Sequence, residues 1–454
     1  MASQKKYIIG LDIGTSSIKG TLIAADGSER FTGKVPFTYI CREDGSVEIP
    51  AADYLDACFA LLRELSAKLP ENGELAAVSA ASASGNLLLL DKNGAPAGPI
   101  FNWQDKRVTD EVEKVFPNFD TDAYYRSTGW GFTRKTFPLA ILCWYKVHYP
   151  EILADCSKVV MSTEYLCYNI TGKWGIGPSA GTPFYLIDQV SGTYNKDILD
   201  TLGIPEDKLP PVIKTGSILG YVTDEASEKC GLPAGTPIII GTFDHPSAAR
   251  GVGIVREGQL LLSCGTSWVG FYPITERAKA AEAKMLIDPF LSEIGGPWAG
   301  MVSLSSVSGQ IESFSRRYID DSDVWYKSLV DMSAQSETGA GGLSINLLAE
   351  PDDEVISKYE KRHIARAIME NTINMLADRM DQIKQSGIVC DEAVMVGGPS
   401  ESPLWAQLIA EKTGMKVRGM HGAYAGAVGA AVLAGTAVGL YPDQNAACAC
   451  LGEN

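Results

Sequence analysis

Two short stretches of similar design, about half a chain apart, constrain the fold most. In the first, an apolar strand at 7–9 leads through Asp12 to Gly14-Thr15-Ser16, and a second strand follows at 18–23. In the second, an apolar strand at 260–262 reaches Gly265-Thr266-Ser267, and a new strand begins at Trp268. A tripeptide recurs easily by chance, but recurrence between the same flanking strands indicates two halves that share one design.

Strands and helices also alternate along the rest of the chain. Apolar residues at helical spacing predict a helix over 361–385, and the run at 392–396 predicts a strand. After a break at Gly397-Gly398, Ser402-Pro403 indicates an N-cap with proline at the first helical position. The Ala- and Gly-rich stretch 425–439 has the length of a helix in close contact with another element. This alternation predicts the α/β class.

The Gly-Thr-Ser turns are suited to binding an anion. Their backbone N–H groups and hydroxyls form a cradle for phosphate without needing a lysine, and two such turns would suit a polyphosphate. Asp12 beside the first turn would repel a phosphate. Two explanations stay open for it: a divalent cation such as Mg²⁺ between acid and phosphate, or a carboxylate that accepts hydrogen bonds from the N–H groups of the turn.

Other motifs for phosphate or for nucleophilic catalysis are missing or out of context. The sequence contains no G-x-x-x-x-G-K-[ST], and no G-x-G-x-x-G follows a strand with an acid about twenty residues on. The stretch 177–181 fits G-x-S-x-G around Ser179, which raises the alternative of a serine hydrolase. The preceding residues, 171–175, resemble a loop rather than the strand that a nucleophile elbow needs.

The composition narrows the partners and the location. Lys and Arg total 39 against 55 acids, giving a net charge of −16, which argues against nucleic-acid and anionic-membrane partners. The N-terminus has too few apolar residues for a signal peptide, and no run of 18 apolar residues predicts a transmembrane helix. None of the 10 cysteines forms a C-x-x-C motif, so reduced thiols and a cytoplasmic location are expected.

Five stretches in order carry a resemblance to a known family. They are DIGTSS at 12–17, GTFDHPSAARGVG at 241–253, SCGTSW at 263–268, VGGPSESPLW at 396–405 and AYAGAVGAAVLAG at 423–435. Together they resemble the FGGY family of carbohydrate kinases, within the actin/hexokinase/Hsp70-like ATPase superfamily. The resemblance spans nearly the whole chain. It implies two actin-like (ribonuclease H-like) α/β lobes, 1–245 for sugar and phosphate and 246–454 for nucleotide, with a catalytic cleft between them.

The resemblance also implies roles for individual residues. Asp244 matches the catalytic base, at the end of an apolar strand, although a lone Asp there would also suit a helix N-cap. Asp12 would hold the Mg²⁺ shell. The residues implied for ATP are Gly14, Thr15, Ser16, Lys19, Gly265, Thr266, Ser267, Gly309, Gln310, Gly397, Gly398 and Ser402. The residues implied for the substrate are Asn86, Trp103, Gln104, Asp105, Arg107 and His245.

The implied reaction is ATP-dependent phosphorylation of a primary hydroxyl on a pentulose-like ketose or a related polyol or sugar acid. The alternative is an actin-like ATPase switch protein without sugar kinase activity. The sequence is compatible with a homodimer and leaves the identity of the sugar open. Three departures from the family's pattern explain why: 83–86 replaces a Gln-Met-His-Gly stretch, the loop at 341–362 is short, and Tyr424 stands where an acid is usual.

Overall fold

The computed structural model describes residues 4–83, 85–132, 135–265, 267–290 and 297–452. Within them the strands are β1 (Lys5–Ile13), β2 (Ser17–Ala24), β3 (Arg30–Pro36), β4 (Ile40–Cys41), β5 (Val47–Ile49), β6 (Gly73–Ser82), β7 (Leu88–Leu90), β8 (Ile100–Phe101), β9 (Lys158–Val160), β10 (Ile187–Asp188), β11 (Thr193–Tyr194), β12 (Ile218–Tyr221), β13 (Pro237–Ile239), β14 (Gln259–Cys264), β15 (Trp268–Ile274), β16 (Leu286–Asp288), β17 (Trp298–Leu304), β18 (Glu392–Val396) and β19 (Lys416–Gly419).

The helices in the same residues are α1 (Ala51–Ser66), α2 (Glu111–Val115), α3 (Thr121–Thr128), α4 (Phe137–His148), α5 (Pro150–Asp155), α6 (Ser162–Thr171), α7 (Pro178–Gly181), α8 (Lys196–Leu202), α9 (Asp224–Cys230), α10 (Asp244–Gly251), α11 (Arg277–Glu282), α12 (Val307–Tyr318), α13 (Trp325–Ser333), α14 (Asp353–Ile356), α15 (Lys361–Gln385), α16 (Pro403–Thr413), α17 (Ala425–Ala437) and α18 (Gln444–Leu451). Among the residues described, no helix has the length and apolar character to cross a membrane.

The chain divides into two compact units that are not contiguous in sequence. Unit 1 comprises Met1–Val255, Leu286–Trp298 and Tyr424–Asn454, and unit 2 comprises Arg256–Met285 and Ala299–Ala423. The lobes expected from the sequence are contiguous, whereas α17 and α18 at the end of the chain belong to unit 1. The reason is local: α17 packs against β1, β6 and α10 of unit 1.

Unit 1 is built on a sheet with the strand order β12-β13-β6-β1-β2-β3. β1 pairs antiparallel with β2 through the first Gly-Thr-Ser turn and parallel with β6. Alternate residues of β1 face opposite sides of the sheet. The odd-numbered residues from Tyr7 to Ile13 pack with Leu61 and Leu65 of α1 in one core cluster. The even-numbered residues, Asp12 among them, therefore face the side on which α17 lies.

Small residues allow α17 to approach its neighbours closely. A Cβ atom at Gly10 of β1 would overlap the carbonyl oxygen of Ala427, and one at Gly429 would overlap the carbonyl oxygen of Ser247 in α10. The Ser247 hydroxyl donates to the carbonyl of Gly426 at 2.7 Å. The predicted close-packing helix at 425–439 is confirmed, and it fixes α10, whose first residue is Asp244, to the central strand of unit 1.

Unit 2 repeats the plan of unit 1. Its sheet contains the strands in the order β17-β15-β14-β18-β19. β14 pairs antiparallel with β15 across the second Gly-Thr-Ser turn and parallel with β18, as β1 does with β2 and β6. The predicted helix at 361–385 and strand at 392–396 are α15 and β18. The α/β class with two sheet-containing units is confirmed.

Candidate active site

The first Gly-Thr-Ser turn joins β1 to β2 in unit 1. The Gly14 N–H donates to the Ser17 carbonyl at 3.0 Å, which closes the turn. Gly14 and Thr15 are half-buried, whereas Ser16 is exposed. The indole N–H of Trp103 donates to the Thr15 hydroxyl at 3.3 Å. This contact brings together two residues that the resemblance assigned separately, one to ATP and one to the substrate.

Asp12 lies at the end of β1, opposite Lys19 of β2 in the strand register. A Cβ atom at Gly426 would come within 2.5 Å of the Asp12 carboxyl carbon, so α17 packs directly against this acid. Burial, together with the negative charge of Asp244, raises the pKa of Asp12 to about 7, although Lys19 acts in the opposite direction. The turn N–H of Gly14 bonds to Ser17 instead, so the structure does not favour a carboxylate held by the turn.

Asp244 is the first residue of α10 and follows β13 after a short connection. Its carboxylate accepts from the backbone N–H of His245 at 2.7 Å, and its side chain is only partly buried. Phe243, not Asp244, occupies the N-cap position, so the alternative of a capping aspartate is not what the structure shows. The arrangement leaves an acid held at the start of a helix, with part of its surface open.

Asp244 lines a cavity of about 180 Å³ within unit 1. Four of the residues expected for catalysis, ATP or substrate meet there: Asp244, Thr15, Trp103 and His245. The wall is completed by residues that sequence reasoning did not assign, which are Ala83, Trp130, Phe137, Pro183 and Phe243. Phe243 directly precedes Asp244 in the sequence, and this position could have indicated that it lies in the wall. Trp130 and Pro183 had no such signal, because they reach the cavity only through the fold.

Three other residues predicted to bind the substrate form bonds with other residues of the protein instead. Asp105 is 2% exposed and accepts from the Arg107 guanidinium at 2.7 Å and from the Val47 N–H at 3.0 Å. Arg107 also pairs with Glu48 at 2.6 Å. The Asn86 side chain accepts from the N–H of Ser162, the first residue of α6, at 2.7 Å.

Neither these three residues nor Gln104, which is exposed, is among the described residues that line the cavity. Their role in binding substrate stays a prediction.

The ATP residues predicted in the second half of the chain collect at one end of the sheet of unit 2. The Ser308 hydroxyl, in the first turn of α12, donates to the Gly265 carbonyl at 2.6 Å, and the Ser306 N–H donates to the Ser267 hydroxyl at 3.4 Å. Gly309 and Gln310 lie in the same turn of α12. Ser308 and Ser306 therefore connect the second Gly-Thr-Ser turn to Gly309-Gln310. Thr266 lies outside the described residues.

Gly397 follows β18 at the same end of this sheet. Its φ of 96° lies in the left-handed region, and a Cβ atom there would overlap the Cys264 carbonyl at the end of β14. Gly398 is exposed, with open space where a side chain would be. Ser402 precedes α16 as predicted, but its buried hydroxyl makes no capping bond and has no hydrogen-bond partner among the described residues. A backbone bare of side chains at the carboxyl ends of parallel strands is a surface against which a nucleotide can lie.

Ser179 has the environment of a structural serine. It is 1% exposed, and its hydroxyl donates to the two carboxylate oxygens of Asp288 at 3.0 and 3.2 Å. α7 begins at Pro178 without a preceding strand. A buried hydroxyl bound to a carboxylate cannot meet a substrate, so the serine hydrolase alternative is not favoured.

Comparison with known proteins identifies the class and then the family. The chain shares the fold of xylulose kinase from Rhodospirillum rubrum, on which it superimposes with a TM-score of 0.87 at 23% identity, covering 99% of this chain and 93% of that one. Residues 7–251 match the N-terminal domain and 352–438 the C-terminal domain of the FGGY family of carbohydrate kinases. The chain belongs to the FGGY family, and the prediction of a sugar kinase is confirmed.

Two further proteins illustrate the range of the similarity. The autoinducer-2 kinase of Salmonella typhimurium strain LT2 is 28% identical over 477 residues, covering 96% of this chain and 87% of that protein. Plasmodium falciparum glycerol kinase with ADP superimposes with a TM-score of 0.85 at 16% identity, covering 99% of this chain and 93% of that one. The family uses ATP, and the alternative of a switch protein without sugar kinase activity is not favoured.

Proposed function

We propose that this carbohydrate kinase transfers the γ-phosphoryl group of ATP to a primary hydroxyl of a small ketose, polyol or sugar acid, with Asp244 as general base. The observation that carries the proposal is the cavity in which Asp244 meets Thr15 and Trp103. The hydroxyl oxygen of the substrate forms the new P–O bond, its proton passes to the Asp244 carboxylate, and the bond from the γ-phosphorus to the β-phosphate oxygen breaks to release ADP.

Asp12 fits a role beside a divalent cation. Burial of its carboxylate, followed by repulsion from Asp244, raises its pKa to about 7, and a bound cation would relieve both. No group of three or more metal-ligating side chains occurs among the described residues. This suits Mg²⁺, which keeps several waters and takes one or two carboxylates. Bound at Asp12, Mg²⁺ would neutralise charge on the phosphates that it accompanies.

Two sets of residues are proposed to contact ATP. In unit 1 the turn Gly14-Thr15-Ser16, with Lys19, would contact phosphate oxygens. In unit 2 the turn at 265–267, the first turn of α12 at 309–310, and Gly397-Gly398 with Ser402 would contact the nucleotide. The support is that the described members of the second set share one end of a sheet and include a glycine backbone with no side chain in the way.

The substrate class rests on the relatives and on the cavity. Relatives named autoinducer-2 kinase match 96% of the chain, and similar folds are named xylulose kinase and glycerol kinase. All three names denote kinases. The cavity, with a volume of about 180 Å³, is large enough for a small substrate. Three further expectations stay predictions: a homodimer, a cytoplasmic location, and the lack of nucleic-acid or membrane partners. Light scattering tests the homodimer.

The test is Mg²⁺-dependent ADP release over a panel of ketopentoses, deoxyketoses, sugar acids and polyols. The wild-type protein should show turnover that depends on one sugar, and Asp244→Ala should lose it by at least about 100-fold. Asp224→Ala is the matched control, because Asp224 is likewise the first residue of a helix in unit 1 but is exposed. ADP release that is independent of every sugar and of Asp244 would overturn the proposal.

A further inference from the structure

Unit 1 contains a second cavity, which shares none of its described residues with the cavity that holds Asp244. It is formed by the chain from the end of α2 into α3 and by α8 with the residue before it, and we call it the α3–α8 cavity. Its volume is about 530 Å³, against about 180 Å³ for the cavity that holds Asp244. Sites for small organic ligands measure about 300 to 1,000 Å³. The α3–α8 cavity therefore has the size of a ligand site.

Three aromatic rings lie in the wall of the α3–α8 cavity and pack against one another. Phe119 meets Phe116 edge-on with 5.0 Å between ring centroids and Tyr124 at 5.1 Å. Phe119 also stacks on Phe132 at 4.1 Å. Such contacts stabilise the rings in place. Phe116 and Phe119 stay half-buried, so part of their surface is open to a ligand.

The charged groups in this wall are both acidic. They are Asp120 and Asp197, which are exposed, and none of the described residues that line the cavity is basic. Both N–H groups that Asp120 caps at the start of α3 bond to its Oδ1, so the cap does not use Oδ2. Lys196, which precedes Asp197 in sequence, pairs with Asp200 at 2.6 Å. The wall thus offers carboxylates to a cation and no cationic partner to a phosphate.

Tyr124 connects the α3–α8 cavity to the cavity that holds Asp244. Its hydroxyl donates to the Tyr185 carbonyl at 2.8 Å, and its ring stacks on the Tyr185 ring at 6.2 Å. The Tyr185 ring stacks in turn on Phe137 at 5.2 Å, and Phe137 lines the cavity that holds Asp244. A continuous series of contacts within unit 1 therefore joins the two cavities.

The two middle residues of this series have unfavourable backbone conformations. The φ angles of Tyr185 and Phe137 are 67° and 71°, in the left-handed region that bulky side chains rarely adopt. Strain of this kind persists only where the surrounding structure holds it. A ligand that shifts Tyr124 would therefore change the packing that holds Tyr185 and, with it, the Phe137 ring.

We propose that the α3–α8 cavity binds a small aromatic amine in its protonated form, and that this binding changes the affinity of the cavity that holds Asp244 for its substrate. The ammonium group pairs with the carboxylates of Asp197 and Asp120, and the apolar body lies on the rings of Phe116, Phe119 and Tyr124, whose faces attract a cation. This site goes beyond the proposed function, and the binding of the amine does not depend on it.

Binding is measured by ligand-observed NMR with three indole compounds of similar shape. Tryptamine carries the ammonium group, tryptophol replaces it by a hydroxyl, and indole-3-acetate carries a carboxylate. Tryptamine should bind at least about 10-fold more tightly than tryptophol, and indole-3-acetate most weakly. Asp197→Asn should weaken tryptamine binding about 3- to 5-fold. Asp224→Asn is the matched control, because Asp224 is likewise an exposed acid in the first turn of a helix of unit 1 but lies outside the cavity.

The connection between the cavities is measured by ADP release with the preferred ketose. Saturating tryptamine should change the KM for the ketose at least about 5-fold in the wild-type protein. Tyr124→Phe keeps the ring in the wall and removes the hydroxyl that bonds to Tyr185. This variant should bind tryptamine as the wild-type protein does, and its KM should change less than about 2-fold. If Tyr124→Phe does not fold, the KM of the wild-type protein with and without tryptamine decides.

The outcomes separate this inference from the proposed function. Equal affinities for the three indole compounds, or an equal loss of tryptamine binding in Asp197→Asn and Asp224→Asn, would overturn the amine site. Tryptamine binding that leaves the KM for the ketose unchanged would overturn the connection between the cavities. Absence of sugar-dependent ADP release would overturn the proposed function and this connection with it, whereas the amine site would still stand or fall by the NMR titration.

Discussion

The indole N–H of Trp103 donates to the hydroxyl of Thr15 at 3.3 Å. Thr15 belongs to the first Gly-Thr-Ser turn, and Trp103 lies in the wall of the cavity that holds Asp244. The bond therefore joins the turn proposed for phosphate to the wall proposed for the sugar. A substitution at either residue is therefore expected to affect the binding of the ligand that the other residue is proposed to contact.

This link is tested by a double-mutant cycle. Trp103→Phe keeps a ring and removes the N–H, and Thr15→Val keeps the shape and removes the hydroxyl. Each should lower kcat/KM for ATP, and the two losses should fall short of additive by about 0.5 to 1.5 kcal/mol, the value of one hydrogen bond. With Ser16→Ala in place of Thr15→Val the effects should add. Full additivity in both pairs would show that the bond does not couple the two ligands.

A second prediction concerns the packing of α10 on α17. Gly429→Ala places a methyl group on the Ser247 carbonyl and should lower the free energy of unfolding by at least about 2 kcal/mol. Gly309→Ala, in the exposed face of α12 with nothing near its Cβ, should raise it by about 0.5 to 1 kcal/mol. Chemical denaturation measures both. Equal effects of the two substitutions would contradict the close approach of the helices.

A third prediction concerns a buried acid that takes no part in the proposed reaction. Glu164 of α6 is 4% exposed, and one of its carboxylate oxygens has no hydrogen-bond partner in the part of the chain that the structure describes. Burial raises its pKa from 4.5 to about 7. Between these values the folded protein holds a proton that the unfolded chain has lost. The contribution of Glu164 to stability therefore falls as pH rises from about 4.5 to 7.

Removing the negative charge of Glu164 should abolish this loss of stability at higher pH. Glu164→Gln is expected to leave stability near pH 4 little changed and to raise the free energy of unfolding at pH 8 by about 2 to 3 kcal/mol. Glu225→Gln, at a side chain that is 78% exposed, is the control and should show no such pH dependence. Thermal unfolding from pH 4 to 8 measures both variants. A gain for Glu164→Gln that is the same at both ends of the range would contradict a raised pKa.

The parts of the fold that follow from local pattern could be predicted from the sequence. The helical spacing over 361–385 and the apolar run at 392–396 correspond to α15 and β18. Ser402 also precedes a helix as expected, although its hydroxyl makes no capping bond. These features depend on side-chain periodicity and on the local chemistry of helix ends, which the sequence shows directly.

The composition of the cavity wall could not be predicted in the same way. Trp130 and Pro183 reach the wall through long-range packing, and no local pattern marks them. Asp105 and Arg107 carry the residue types of a sugar site, yet in the structure they bond to Glu48 and to Val47. Which polar group a carboxylate binds depends on the neighbours that the fold supplies. The sequence alone does not show them.

The measurement that tests the central claim most directly is ³¹P NMR of the products formed from ATP, Mg²⁺ and the preferred ketose. The wild-type protein is expected to form a sugar phosphate ester in equal amount to ADP, with little inorganic phosphate. Asp244→Asn, which keeps the shape of the base and removes its basicity, should form the ester at least about 100-fold more slowly. ADP accompanied by inorganic phosphate and no ester, or an ester formed as fast by Asp244→Asn, would contradict the account.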